Sequence, residues 1–373
     1  MKSRFAVQAT LIAVLGIVVP WVAGAQAAPA ATCSGWTSPP PTVGTASVLN
    51  GVDVLSACSA WSVGYSSDGG DPMTLVERWN GKAWKVVPSP NVGALSNVLN
   101  DVVATSATNA WAVGSWVDAG DTKTLILRWN GTKWHVQPSP NPMTVSVLAD
   151  VVATSATNAW AVGSKSDGVA PPRPLILHWN GSTWSEQVSP HPGAMGSSLT
   201  SVTATSATNA WAVGHRRDTG NHTLVLHWNG IRWRVQSSPG QDEVTALEGV
   251  AATSTTDAWA VGYRHDGSFD RTYVLHWNGT AWKVKPSPNV GTDYNDLYDV
   301  GASSASNAYA VGETYKNGIQ RLLILHWNGT TWKPQLPSQP GQGDTLEGVS
   351  TTSSTNVWAV GYSEDRALAI HCC

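Results

Sequence analysis

Two recurring strings predict an all-β chain, a seven-bladed β-propeller of four-stranded antiparallel blades whose ring is closed by the N-terminal strand completing the last blade. Ala-Trp-Ala-Val-Gly recurs with small changes, its aromatic falling at Trp61, Trp111, Trp160, Trp211, Trp259, Tyr309 and Trp358, at spacings of 48 to 51 residues. Nine residues before each aromatic sits a Val, from Val52 to Val349. The second string, Trp-Asn-Gly-x-x-Trp, occurs only six times, starting at Trp79, Trp129, Trp179, Trp228, Trp277 and Trp327. With 373 residues, 13% charged side chains and 21 Trp against 2 Phe, the chain reads as a packed, turn-rich globule and not as a disordered one.

The first residues fall outside these repeats. Lys2 and Arg4 precede an apolar run from Phe5 to about Val22, and Ala25-Gln26-Ala27 offers small residues at the two positions a signal peptidase reads. A signal peptide over 1–27 is expected, leaving 28–373 as a single secreted domain in which disulfides are permitted. A retained anchor is the competing reading. Gln8, Thr10, Pro20 and the absence of a basic stop-transfer group weigh against it.

Each repeat then reads as four strands. The first is typified by Leu99 to Ala104, ended by a Ser-Ala-Thr-Asn turn, and the second by Ala110 to Val113, stopped by Gly114. A variable loop leads to a third strand such as Thr124 to Trp129. Asn130-Gly131 then signals a hairpin with positive φ at both turn residues, and the fourth strand runs from Lys133 to Gln137.

The missing seventh Trp-Asn-Gly has an explanation at the other end of the chain. The last repeat stops at Ile370-His371-Cys372, the end of a third strand, while Cys33-Ser34-Gly35-Trp36 aligns with Gly81-Lys82-Ala83-Trp84. The N-terminal segment is therefore expected to supply the fourth strand of the last blade, which leaves no open sheet edge. It also brings Cys33 beside Cys372 and Cys373, and a bridge from Cys33 to one of that pair is expected. The other terminal Cys either reaches Cys58 in the adjoining blade or, with Cys58, remains free or pairs between molecules.

The pattern of Ala-Trp-Ala-Val-Gly, a loop, an apolar strand, then a Gly and a Trp resembles the repeat of photosystem II stability/assembly factor-like BNR-type propellers. The kelch and galactose oxidase central-domain propellers are more distant in pattern. The resemblance covers 28–373 and implies a fold, with little about a ligand. Trp-Asn-Gly-x-x-Trp stands where a true Asp-box has Ser-x-Asp-x-Gly-x-x-Trp, so sialidase chemistry is not carried over.

Within the chain, the turns between strands 1 and 2 and between 3 and 4 hardly change, whereas the 2-to-3 loops vary in length and chemistry. That variation nominates the face carrying the 2-to-3 and 4-to-1 loops for binding. An Asp recurs there seven residues after the Ala-Trp aromatic, at Asp68, Asp118, Asp167, Asp218, Asp266 and Asp365. It reads either as a ring that takes sugar hydroxyls or as turn chemistry beside Gly. Trp116, Tyr263 and Tyr315 are candidate aromatics for stacking on sugar faces. Arg78, Arg128, His178, His227, His276, His326 and His371 precede the third-strand aromatic or its equivalent, one per blade. They are too far apart to share an ion, and buried hydrogen bonds tying blade to blade are expected of them. Asp101, Asp150 and Asp299, alternating with Gly51, Ser201, Gly249 and Gly348, either line the channel mouth or hydrogen-bond at strand entry.

No Gly-x-Ser-x-Gly, no His-Glu-x-x-His and no copper-radical Tyr/Cys/His set occurs, so no catalytic constellation, metal or cofactor is expected. A net charge of -3 without a basic block disfavours nucleic acid as a partner. The leading expectation is a secreted, monomeric, lectin-like module for glycans or cell-wall polysaccharide. A protein-interaction or assembly scaffold is the alternative, and a propeller glycoside hydrolase comes third.

Overall fold

Strands of two to eleven residues, apolar-rich and separated by turns and loops, give a chain that can only bury its faces by stacking sheets against sheets. In blade 1 the chain runs through Ser47–Ser56, Ser59–Ser66, Met73–Trp79 and Trp84–Val86, each strand antiparallel to the next. The same four-strand course repeats from Ser96 to Val136, Val145 to Glu186, Ser197 to Val235, Thr245 to Val284 and Asn295 to Pro334. Blade 7 is built from Asp344–Ser353, Asn356–Ser363 and Arg366–Cys372, and its fourth strand is Trp36–Thr37. Trp36 pairs with Cys372 in the register that pairs Trp84 with Trp79. The ring thus closes through the N-terminal strand. This computed structural model describes residues 36–37, 46–67, 69–240, 244–335, 342–364 and 366–372, all within the compact unit Ala31–Cys373. No helix of the described residues is long and apolar enough to cross a membrane.

The blades meet through tryptophan. Trp61 of blade 1 sits edge-on to Trp129 and Trp134 of blade 2, with centroids 5.0 and 5.1 Å away. Trp111, Trp160, Trp211 and Trp259 repeat this against the next blade, and Trp358 of blade 7 meets Trp79 and Trp84 of blade 1. Only the junction of blades 6 and 7 departs from it: Cys372 occupies the third-strand Trp position, and Tyr309 meets Trp36 at 6.2 Å. Each such pair adds about 0.5–1.5 kcal/mol beyond its buried area.

Two local expectations are corrected, and a third is decided between its alternatives. The Asn-Gly hairpins have positive φ only at Gly, as at Gly81 (φ 90) and Gly131 (φ 96). In each, the Asn side chain does the turning: Asn80 Oδ1 accepts the backbone N–H groups of Lys82 and Ala83 at 3.0 Å, an Asx turn inside a four-residue connection.

The titratable series also bonds within its own blade and not across blades. His178 Nε2 lies 2.9 Å from Asn158 Oδ1, and His227 and His326 do the same with Asn209 and Asn307. His276 meets Asp257 and Arg128 reaches Asn109. Each partner starts the second strand, and each ring or guanidinium lies over the second-strand aromatic, as His178 does over Trp160 at 4.1 Å. Burial lowers the pKa of His178, His227, His326 and His371, which keeps these imidazoles neutral at physiological pH.

Finally, Cys58 is an exposed free thiol, so the bridge to the adjoining blade is not formed. Cys372 is buried. Cys33 and Cys373 lie outside the described residues.

Candidate binding site at the axial mouth

The innermost strand of every blade carries the frame Leu-x-x-Val, and the sheet bulges inside it. In blade 1, Leu49 pairs with Gly64 and Gly51 with Val63, so Asn50 has no partner across the ladder. The equivalent shift occurs between Leu247 and Gly249, between Leu297 and Asp299, and in every other blade. A bulge re-aims the extra side chain. The Gly of Ala-Trp-Ala-Val-Gly permits it: a Cβ on Gly262 would lie 2.1 Å from the Ala246 carbonyl oxygen.

The seven bulged residues converge on the propeller axis. Asn50, Asn100, Ala149, Thr200, Glu248, Tyr298 and Glu347 line one cavity of about 310 Å³. Asn50, Asn100 and Thr200 are committed to backbone carbonyls of the next blade, those of Leu99, Leu148 and Leu247, at 2.7–2.8 Å. Glu248, Tyr298 and Glu347, on blades 5, 6 and 7, carry the chemistry. Burial first, then the charges of Asp296 and Glu347, push Glu248 up to about 7. Burial and Glu313 push Glu347 to about 7, and burial with Asp270 and Glu313 does the same for Asp296. Tyr298 Oη donates to Glu313 Oε1 at 2.8 Å, and Gln320 and Thr345 donate to the other oxygen. Burial and these carboxylates raise the Tyr298 phenol far above its ordinary range.

The axial cavity continues outward at the seam between blades 7 and 1. Asn50 and Glu347 are shared with a groove of about 410 Å³ whose walls include Tyr65, Tyr362 and the exposed Glu364. These belong to second strands and 2-to-3 loops, so the mouth opens on the face that loop variation nominates.

The inner-strand carboxylates serve both roles proposed for them. Asp150 accepts from the N–H of Val151 and of Val202 in the next blade, at 2.6 and 2.7 Å. Asp299 does the same with Val300 and Val349 at 2.7 and 2.8 Å. Asp101, Asp150 and Asp299 also line the channel beneath the bulged ring. Burial, then the adjacent Asp150, raises Asp101 well above the usual carboxylate range, and burial takes Asp299 to about 7.

The loop Asp series does not converge. Asp167 accepts from Val169 and Ala170, and Asp266 from Ser268, Phe269 and Arg271. Those bonds lower both pKa values. Asp218 holds Arg216 and the Ala194 N–H. Asp118 ends a strand opposite Asp121. Asp68 and Asp365 lie outside the described residues.

Trp116 is not an open stacking platform: it is half-buried against the core of the first two blades, with Lys123 Nζ 5.0 Å from its ring centroid. Tyr315 is half-buried and edge-on to Tyr294 at 6.0 Å. Tyr263 is half-buried, and its phenol is raised by burial and by Glu248.

No family model matches the chain, and no curated protein matches its sequence. Its fold is similar to that of YCF48 bound to D1 peptide, with TM-score 0.57 at 15% identity over 92% of this chain and 98% of that one. The chain is a seven-bladed propeller resembling YCF48. It is also similar to a PL25 ulvan lyase bound to -[GlcA(1-4)Rha3S]-, with TM-score 0.58 at 9% identity over 92% of this chain and 95% of that one. A fucose-specific lectin from Aleuria aurantia gives TM-score 0.51 at 16% identity over 80% and 98%. At these identities the likeness is one of fold.

Proposed function

We propose that the chain is a secreted, lectin-like binding module that takes a glycan at the axial mouth and lays its continuation along the groove between blades 7 and 1. The observation that carries this is the shared edge: Asn50 and Glu347 belong both to the polar axial cavity and to the tyrosine-walled groove. Carboxylates and amides that fix hydroxyls beside aromatic faces are what a sugar requires. A second reading, a protein-interaction scaffold, draws on the peptide bound to the structurally similar YCF48. The proposal includes export after cleavage near Ala27 and a clasp from Cys33 to Cys372 or Cys373.

A glycan array and a cell-wall polysaccharide pull-down on the full chain test the proposal. Saturable binding to one glycan class supports it. Silence on the array together with one stoichiometric protein partner supports the scaffold.

A further inference from the structure

We propose that the axial mouth takes a sugar unit bearing a free ammonium group, an amino sugar that is not N-acylated. This rests on the glycan reading and narrows it. Glu248 and Glu347 flank Tyr298 on consecutive blades, and all three face one cavity of about 310 Å³. Among the described residues, neither glutamate has a hydrogen-bond partner, and the charges that act on them, Asp296, Glu347 and Glu313, are all negative. Asp296, behind the cavity wall with a buried Oδ1 that has no hydrogen-bond partner, adds negative charge beside Glu248.

Desolvated carboxylates without a cation are costly to the fold. An ammonium group supplies what they lack: a positive charge, three donors and attraction to a phenol face. A neutral sugar's hydroxyls supply donors but no positive charge. A lysine side chain carries the same charge, but of the seven axial residues only Ala149 is apolar, which leaves a peptide without an apolar anchor pocket. A sugar chain instead continues from Glu347 between Tyr65 and Tyr362.

Calorimetric titration of the full chain with a glucosamine trisaccharide, its N-acetylated counterpart and trilysine tests this. The free-amine sugar is expected to bind at least about tenfold more tightly than the N-acetylated one, and Glu248→Gln and Glu347→Gln to weaken it by about tenfold or more, as loss of a charged hydrogen bond requires. A thermal midpoint at or above that of the parent chain verifies that each variant is folded. If both sugars bind equally, the ammonium inference fails and the glycan reading stands. If neither sugar binds while other glycans do, the inference alone fails. If trilysine binds as tightly as the sugar and loses affinity in the same variants, the mouth is a peptide site and both readings fall. The comparison of the two sugars on the unsubstituted chain decides the matter even where a variant does not fold.

Discussion

Gly262 faces the carbonyl oxygen of Ala246 so closely that a Cβ would lie 2.1 Å from it. This contact lets the innermost strand of blade 5 bulge and turns Glu248 toward the axis. Gly262→Ala is therefore expected to destabilise the chain by about 3 kcal/mol or more, at the upper end of overpacking penalties. Denaturant unfolding reads it, and a variant as stable as the parent would mean that the bulge is not needed.

Glu248 gives a pH signature. Its pKa is raised from its ordinary 4.5 to about 7 by burial and then by Asp296 and Glu347. Between those values the folded state keeps a proton that the unfolded chain releases. The contribution to stability is therefore full below 4.5 and lost as pH rises through about 7. Glu248→Gln cannot ionise, so it is expected to match the parent near pH 4 and exceed it near pH 8, by on the order of 3 kcal/mol. Thermal unfolding at the two pH values measures the difference, and equal midpoints at pH 8 contradict the placement.

Trp259→Ala and Trp116→Ala separate packing from surface roles. Trp259 is fully buried against Trp327 and Trp332 of the next blade, and its loss is expected to cost about 3–5 kcal/mol. Trp116 is half-buried under Lys123, so its loss is expected to cost about 1 kcal/mol. Urea midpoints rank the two.

The blade plan was legible in the sequence because Trp259-type aromatics mark the second strand of every blade and Trp277-type tryptophans the third strand of six. Even the register of Trp36 with Cys372 follows from aligning Gly35-Trp36 with Ala83-Trp84. The axial site was not, since strand alternation assigns faces by a period of two and a bulge breaks that period. Glu248, Tyr298 and Glu347 stand in the Leu-x-x-Val frame, between a Leu and a Val that recur in all seven repeats. The variability of that single position is the signal for the site, and it stands beside the Gly/Asp/Ser alternation at Gly249 and Asp299. The loop Asp series repeats in sequence because turns repeat, as the N–H groups held by Asp167 and Asp266 make plain.

Ring closure makes a separate prediction. Trp36 completes blade 7 by pairing with Cys372, and a bridge from Cys33 to Cys372 or Cys373 would clasp the two ends. Reductant or Cys33→Ser is then expected to lower stability by about 2–4 kcal/mol. An unchanged thermal midpoint speaks against the clasp.

The central claim is that one glycan occupies the axial mouth and the seam groove together, and calorimetry of the best array ligand against three variants tests it most directly. Tyr65→Ala and Tyr362→Ala are each predicted to weaken binding by about fivefold or more, the loss of one aromatic contact, while Asp118→Ala leaves it unchanged. Full affinity in both tyrosine variants would contradict the account.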